Sequence, residues 1–411
     1  NTTSYRDSDT LPGITYTYRV RAFNDAGPSD WTPEATITAA TEASALSTVW
    51  DGGGADALFT TAANWDFNTV PPTNGTWALA FGTGGASAVL NADAFLRGLL
   101  FNRNADFALA AGGGALTLGD AGIRVALPSA VSRAYSIAAP VVLVSNQTWA
   151  ITNNGAGVAT LTVLGPISDG GSGARLAKTG NGVLVLAGDN SYSGPTVVQT
   201  GGVLRISHDR ALGSADGATS VENGGWLEVS GGVTVAEPLT IAGDAALGYA
   251  GTLRSTGGSN VWTAPITYNG ARIRVTSGSL DLTGGLYGPG GVFGADAGTV
   301  LRVSNAPASF GTGTVYMHLG GGTLVFAVAG NAWGTADFSG GTLRTDMPNA
   351  LPPASILQFS TGTTFDLNGN SQTVAQLKNA NANVGSRLIT TAAPATLTVA
   401  QAADTYFNGV L

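Results

Sequence analysis

Short runs of alternating apolar and polar residues recur through most of this chain and predict β-strands. From about residue 85 onward, runs of β-forming residues stand between glycine, asparagine, aspartate and serine clusters, and no stretch keeps a helical periodicity. The predicted strands are 115–118, 141–144, 159–164, 183–186, 202–206, 226–229, 272–275, 323–326 and 395–399. The pattern therefore indicates an all-β fold.

Two short sequence motifs recur at spacings that predict a solenoid. Gly-Gly followed one residue later by leucine begins at residues 113, 201, 224, 321 and 340, and a leucine-arginine step occurs at residues 204, 253, 301 and 343. The leucine-arginine steps recur at roughly twice the interval that separates the closest Gly-Gly steps. A period of about 20–25 residues fits one coil of a parallel β-helix. About fourteen coils at ~4.8 Å each would give a rod of roughly 65–70 Å.

Residues 1–41 predict two strands separated by a turn. Tyr16 and Tyr18 alternate with polar residues, as in a half-buried strand. Residues 11–24 resemble the end of a fibronectin type III domain, in which Tyr16 would be the corner tyrosine whose hydroxyl bonds to nearby backbone. That β-sandwich has about seven strands, so the resemblance implies that the remaining strands lie upstream of Asn1.

Residues 42–84 are predicted to be a linker followed by the N-terminal cap of the solenoid. Small and polar residues occupy 42–49, and the segment after them contains Trp50, Trp65 and Trp77. Large aromatic side chains can cover the open end of a solenoid core, which would otherwise face water. The alternative is a patch on which sugar rings stack, and we favour the cap. Residues 85–411 are then the parallel β-helix itself.

One segment carries a family resemblance. Residues 176–204 contain lysine-threonine-glycine, alternating leucines, asparagine-x-tyrosine-x-glycine and a final glycine-x-leucine, and the likeness continues to Gly213. This pattern resembles the autotransporter-associated β-strand repeat. The resemblance implies a right-handed parallel β-helix in a secreted passenger protein. Residues 406–411 are similar to the start of another copy, so the β-helix is expected to continue beyond the end of this chain.

Charge and composition narrow the range of partners. The chain has 18 Lys and Arg against 26 Asp and Glu, a net charge of −8, so nucleic acid is not an expected partner. It has no cysteine, which excludes disulfides and thiolate metal sites. No run of about 18 apolar residues is present to span a membrane.

Parallel β-helices include lyases and hydrolases, so the acidic residues of this chain are catalytic candidates. Most of them lie beside glycine, asparagine or serine, which is typical of turns. His208 and His318 lack the spacing of a metal site. The acids in question are Asp169, Asp189, Asp209, Asp216, Asp244, Glu222 and Glu228. The sequence thus predicts no catalytic residue, no metal and no cofactor.

These patterns predict a non-enzymatic structural or adhesive module of a large bacterial surface or extracellular protein. Its partners would be glycans or proteins of a cell surface or matrix. One alternative is a β-helix that binds or cleaves glycans, and another is a self-associating subunit of an extracellular fibre or sheath.

Overall fold

The computed structural model describes residues 15–24, 27–38, 47–82, 84–243, 252–380, 387–401, 406–407 and 410. These residues contain strands and two short 3-10 turns, Ala62–Asn64 and Asp66–Asn68. The first strands are β1 Thr15–Tyr18, β2 Phe23–Asn24, β3 Gly27–Pro28, β4 Ala35–Thr38, β5 Ser47–Trp50, β6 Ala78–Phe81, β7 Ser87–Leu90, β8 Ala94–Phe101, β9 Phe107–Ala111, β10 Leu116–Ala126, β11 Arg133–Ile137, β12 Val141–Leu143, β13 Gln147–Thr152 and β14 Ala159–Val163.

The central strands are β15 Ile167–Ser168, β16 Leu176–Thr179, β17 Val183–Leu186, β18 Thr196–Val198, β19 Val203–Ile206, β20 Thr219–Val221, β21 Trp226–Ser230, β22 Thr234–Val235, β23 Leu239–Ala242, β24 Leu253–Trp262, β25 Ile266–Asn269, β26 Arg272–Leu282, β27 Leu286–Tyr287 and β28 Gly291–Asp296. The last strands are β29 Val300–Ser304, β30 Ala308–Ser309, β31 Thr314–Gly320, β32 Thr323–Ala327, β33 Thr335–Ser339, β34 Gly341–Thr345, β35 Ile356–Phe359, β36 Thr363–Asp366, β37 Gln372–Val374, β38 Gln376–Asn379, β39 Arg387–Thr390 and β40 Leu397–Val399. Each strand predicted from the sequence overlaps one of these.

The described residues before position 39 form two short antiparallel strand pairs. Strand β1 pairs with β4, and β2 pairs with β3. Tyr16 is partly exposed and its ring stacks on Tyr18, with centroids 6.4 Å apart. Part of the fibronectin-like segment, residues 11–14, lies outside the described residues. The fibronectin type III assignment and the corner role of Tyr16 stay predictions.

From β5 onward, every strand pair in the described part of the chain is parallel, and the chain winds through about 14 turns. Leu184 pairs with Leu204 in the next coil, and Leu227 pairs with Leu253. The separation of such partners along the chain is the length of one coil, and it lies close to the predicted period. The predicted parallel β-solenoid is therefore confirmed. Its right-handed winding stays a prediction.

Parallel pairing already begins at β5, which lies beside β6 in the same sheet as later coils. Residues of the predicted linker and cap therefore contribute the first strands of the stack. The boundaries at residues 42 and 85 stay predictions.

A column of large apolar side chains fills the interior, one from each successive coil. Strand alternation points one side chain of each aligned set inward, and register repeats that choice in the next coil. All members of the column are at most 1% exposed. They are Leu161, Leu184, Leu204, Leu227, Leu253, Ile273, Phe293, Met317, Phe338 and Phe359.

Long strands turn the corner between two faces of the solenoid. The first half of β24 pairs with β21 and its second half pairs with β22. Leu253 consequently aligns with Ile273, whereas Leu301 aligns with Leu280 on the other half of β26. The leucine-arginine steps at residues 253 and 301 therefore lie in different columns, although their spacing resembles two coils.

Close approach between coils explains why position 194, in the segment that resembles the autotransporter-associated repeat, is a glycine. A Cβ atom added to Gly194 would lie 2.1 Å from the carbonyl oxygen of Ala174, which belongs to the preceding coil. Backbone atoms make up this contact, so relief would require the two coils to move apart. Any side chain here conflicts with the stacking distance.

We predict that Gly194→Ala lowers the thermal unfolding midpoint, at a cost of about 1–3 kcal/mol, because overpacking displaces backbone. Gly257→Ala is the matched control, since a Cβ there meets nothing within 4 Å and the glycine does not have a positive φ. Circular dichroism melts of the two variants measure the difference. Equal midpoints for the two variants would contradict the close-packing argument.

Candidate functional site

Two of the three tryptophans singled out as a sugar-stacking patch lie inside the protein. Trp50 and Trp65 are both 0% exposed and pack edge to face, with ring centroids 5.0 Å apart. Phe59 packs on Trp65, and its carbonyl accepts a 2.7 Å hydrogen bond from Trp65 Nε1. Neither Trp50 nor Trp65 presents a ring face to a sugar, so neither can form the stacking surface.

Trp77 has a different environment. Its side chain is partly exposed and lines a cavity of about 270 Å³ together with Phe67, Val70, Pro71 and Pro72. The structure thus does not bring Trp77 together with the other two tryptophans on one surface. Sugar stacking stays a prediction for Trp77 alone.

Asp169 acts as the organising residue of a turn. Its carboxylate accepts hydrogen bonds from the backbone N–H groups of Gly171, Gly173 and Ser193, each 3.0 Å long, and from the Ser193 hydroxyl. Burial opposes ionisation, but these hydrogen bonds outweigh it and hold the pKa of Asp169 below its usual value. The carboxylate joins two coils and has no feature of a catalytic acid.

Three other candidate aspartates also have structural contacts. Asp189 forms an ion pair with Arg210 at 2.5 Å, and Asp209 accepts a 2.7 Å hydrogen bond from the backbone of Thr234 in the next coil. Asp216 accepts a hydrogen bond from the hydroxyl of its neighbour Ser214. Asp244 lies outside the described residues.

Glu222 and Glu228 do not face each other as a hydrolytic pair would. Glu222 is exposed, whereas Glu228 is buried between Arg205 and Arg254, whose guanidinium nitrogens lie 2.7 and 3.3 Å from its oxygens. The glutamate and the two arginines are aligned on successive coils, so the ion pairs run along the solenoid axis.

Polar residues of the segment 176–204, which carries the family resemblance, connect neighbouring coils. Asn190 is 1% exposed; its Oδ1 accepts a hydrogen bond from the N–H of Ile167 and its Nδ2 donates to the carbonyl of Ala211. These distances are 2.8 and 2.6 Å, and the two partners belong to the coils on either side. A single asparagine thus satisfies buried backbone groups of both neighbours.

The same arrangement recurs at a position that the sequence pattern does not show. The Oδ1 atom of Asn331 accepts a hydrogen bond from the N–H of Ala308, and its Nδ2 donates to the carbonyl of Ala350. Trp333 follows two residues later, as Tyr192 follows Asn190. Asparagine-x-aromatic in a glycine-rich turn is the signal that could have identified this second copy.

Lys178 is the buried lysine of the segment, at 1% exposure. Its Nζ donates hydrogen bonds of 2.6 and 2.7 Å to the carbonyls of Thr179 and Gly180. Burial lowers the pKa of Lys178 to about 7. The lysine therefore ties the end of a strand to the turn that follows it.

A chain of buried polar groups runs from this coil into the next two. Tyr192 Oη and Thr196 Oγ1 are 2.7 Å apart, and Thr196 aligns with Thr219 in the following coil. The hydroxyl of Thr219 donates to Oε1 of Glu237 at 3.2 Å. Glu237 is 4% exposed, and burial raises its pKa to about 8 despite the hydrogen bond.

A groove opens on the outer surface where a glycine interrupts a column of side chains. Arg274, Gly294, His318 and Ser339 are aligned on the consecutive strands β26, β28, β31 and β33. A cavity of about 380 Å³ lies here, and the missing side chain of Gly294 leaves its floor open between Arg274 and His318. We call it the Gly294 groove; it is lined by Arg272, Ile273, Arg274, Val292, Phe293, Gly294, Asp296, His318, Gly320 and Ser339.

The groove combines two guanidinium groups with one carboxylate. Arg274 donates to Oδ1 of Asp296 through Nε and Nη2, at 3.0 and 2.7 Å. His318 Nδ1 lies 2.7 Å from Ser339 Oγ. Burial and the charge of Arg272 lower the pKa of His318, and these effects exceed the opposite influence of Asp337. The imidazole is consequently neutral at neutral pH.

His318 is thus partly buried and hydrogen-bonded at the outer surface. No cluster of three His, Asp or Glu side chains that could hold a metal ion occurs among the residues that the structure describes. Within that same part of the chain, no helix has the length and hydrophobicity to cross a membrane.

Residues 176–206 match the passenger-associated-transport-repeat family. The match falls on the segment whose lysine, asparagine and tyrosine make the contacts described above. It covers a small part of the chain. The matched segment is therefore a short stretch inside a longer solenoid.

The chain is also similar to the adhesin BmaC autotransporter of Brucella suis biovar 1 (strain 1330). The two are 36% identical over 131 residues, which is 28% of this chain and 4% of that protein. The chain thus spans only a small fraction of this relative's length. No solved structure matches the chain significantly.

We predict that Asn190→Ala destabilises the passenger repeat by about 2–4 kcal/mol, because it leaves a buried N–H and a buried carbonyl without their partner. Asn223→Ala, at an exposed position of the next coil, is the matched control and should change stability little. Chemical denaturation monitored by circular dichroism measures both. A loss no larger than that of the control would show that the asparagine does not connect the coils energetically.

Glu237 should make stability depend on pH. Between its ordinary pKa of 4.5 and the folded value of about 8, the folded chain holds a proton that the unfolded chain has lost. Stability therefore decreases as pH rises through this range, and stays level above it. Glu237→Gln should remove this decrease. The free energy of unfolding of Glu237→Gln minus that of the wild-type chain should therefore increase by about 2–4 kcal/mol between pH 5 and pH 8.

Chemical denaturation at several pH values measures this difference in unfolding free energy, with the exposed Glu222→Gln variant as control. Profiles of Glu237→Gln and wild type that stay parallel from pH 5 to pH 8 would contradict the assignment of a protonated Glu237.

Proposed function

We propose that this chain is a non-enzymatic segment of a secreted bacterial passenger protein, displayed at the cell surface, and that it takes part in adhesion. The observation that carries the proposal is the match of residues 176–206 to a passenger repeat, whose polar residues serve contacts between coils. The likeness to an adhesin autotransporter supports the adhesive part of the proposal.

The architecture suits display at a distance from a surface. Parallel strands stack at ~4.8 Å, so about 14 turns extend over roughly 65–70 Å. Each turn contacts its two neighbours, and the outward side chains form columns along the stack. A rod of this kind separates a binding surface from its attachment point and offers a long contact area.

The state of the acidic residues supports a non-enzymatic role. Asp169 organises a turn, Asp189 forms an ion pair, and Glu228 lies between two arginines. Most glycoside hydrolases use a pair of carboxylates that face each other across a substrate groove. Asp169, Asp189 and Glu228 are instead engaged in contacts that stabilise the coils.

The whole chain, coupled to inert beads at a fixed density, should retain those beads on cultured epithelial cells or on immobilised matrix glycoproteins. Beads that carry heat-unfolded chain are the control, because they present the same composition without the columns of the folded surface. Retention equal to that of albumin-coated beads on every surface would contradict an adhesive role.

A further inference from the structure

We propose that the Gly294 groove binds a saccharide that bears a carboxylate. The inference rests on the proposed adhesive function and names the chemical class of its partner. Acidic sugars of two sources share this chemistry, the sialic acids that end cell-surface glycans and the uronic acids of polysaccharides.

The groove has the form of a binding site because one position in an otherwise filled column is empty. Arg274 and His318 stand two strand spacings apart, about 9.6 Å along the axis, and Gly294 lies between them. A Cβ atom at Gly294 would be 3.2 Å from Cγ of Arg274, so even a small side chain would fill the floor. The volume of about 380 Å³ is within the range of small-ligand pockets.

The charges of the groove favour an acidic ligand. Arg272 and Arg274 are alternate residues of one strand, so both guanidinium groups project to the same face. Asp296 holds the Arg274 guanidinium by hydrogen bonds from Nε and Nη2 to one oxygen, which fixes its orientation. With His318 neutral, the lining carries two positive charges and one negative charge. The lining residues are thus net positive in a chain of net charge −8, with the carboxylate of Asp337 nearby and interacting with His318. Guanidinium groups bind carboxylates with paired hydrogen bonds.

Other lining groups favour a sugar over a simple anion. The hydroxyl of Ser339 and the imidazole of His318 can exchange hydrogen bonds with sugar hydroxyls. Val292 provides an apolar wall. Beside it in register is Tyr316, 44% exposed, whose ring is nearly parallel to the His318 imidazole. An exposed tyrosine offers an apolar face and a polar hydroxyl, the combination that an amphipathic sugar ring requires.

Calorimetric titration of the whole chain tests the inference with four probes: sialyllactose, trigalacturonate, neutral lactose and acetate. We expect one or both acidic saccharides to bind at least about tenfold more tightly than lactose and acetate, since a charge-assisted hydrogen bond is worth about one decade in affinity. Preference for sialyllactose would indicate a cell-surface glycan, and preference for trigalacturonate would indicate a uronate polysaccharide.

Two groove variants and one control make the test specific. Gly294→Thr fills the floor with a residue that favours strands, and the backbone of Gly294 is not in the left-handed region. Arg272→Gln removes one guanidinium. Arg124→Gln removes an exposed arginine on β10, in a different sheet. Each groove variant should weaken acidic-saccharide binding about tenfold or more, whereas Arg124→Gln should bind as the wild type does. Circular dichroism and unfolding midpoints confirm that the variants are folded.

Two results would overturn the inference: acidic saccharides that bind no better than lactose or acetate, and folded groove variants that bind as the wild type does. Bead adhesion separates this inference from the proposed function. Wild-type beads that adhere although the chain binds no acidic saccharide would refute the groove assignment and leave the adhesive role intact. Saccharide binding lost in the groove variants, together with beads that never adhere, would support the groove and refute the adhesive role.

Discussion

Parallel hydrogen bonding between each coil and the next is the interaction on which the rest of this structure depends. A single coil leaves its backbone groups unpaired and half of its apolar side chains exposed, and only a neighbouring coil satisfies both. The buried column that includes Leu184, Leu204 and Leu227 follows from this register. Three other features follow from it too, since each aligns residues from successive coils. They are the hydrogen bonds of Asn190 and Asn331 to neighbouring coils, the ion pairs around Glu228 and the Gly294 groove.

Much of the fold could be predicted from local sequence, because alternation of apolar and polar residues marks strands and glycine-rich turns separate them. The coil length was also predictable, and so was the burial of the leucines in the leucine-arginine steps. Register was not. Leu253 and Leu301 have a spacing that suggests one column, yet the long corner strand β26 places them on different faces. Spacing along a chain cannot distinguish extra residues in a turn from residues that extend a strand.

The candidate site depends almost entirely on that hidden register. Trp50 and Trp65 are aromatic and could in principle stack on sugars. Their large apolar side chains suit the interior equally well, and both are buried. Arg274, Gly294 and His318 carry no motif and are separated by about one coil each. Only the alignment of their strands brings them together, and the decisive feature is the absence of a side chain at Gly294. Asp169 organises a turn, and Asp189 and Glu228 form ion pairs; aspartate and glutamate suit these roles as well as they suit catalysis.

Native-state hydrogen exchange of the whole chain tests most directly the claim that contacts between neighbouring coils hold this fold together. In a stack with nearest-neighbour coupling, an interior coil can open only by breaking two interfaces, whereas end coils open singly. We expect the slowest exchange in central strands such as Leu176–Thr179 and Val203–Ile206, with protection decreasing gradually toward Ser47–Trp50 and toward Leu397–Val399. Protection that is uniform along the chain, or lowest in the central coils, would contradict it.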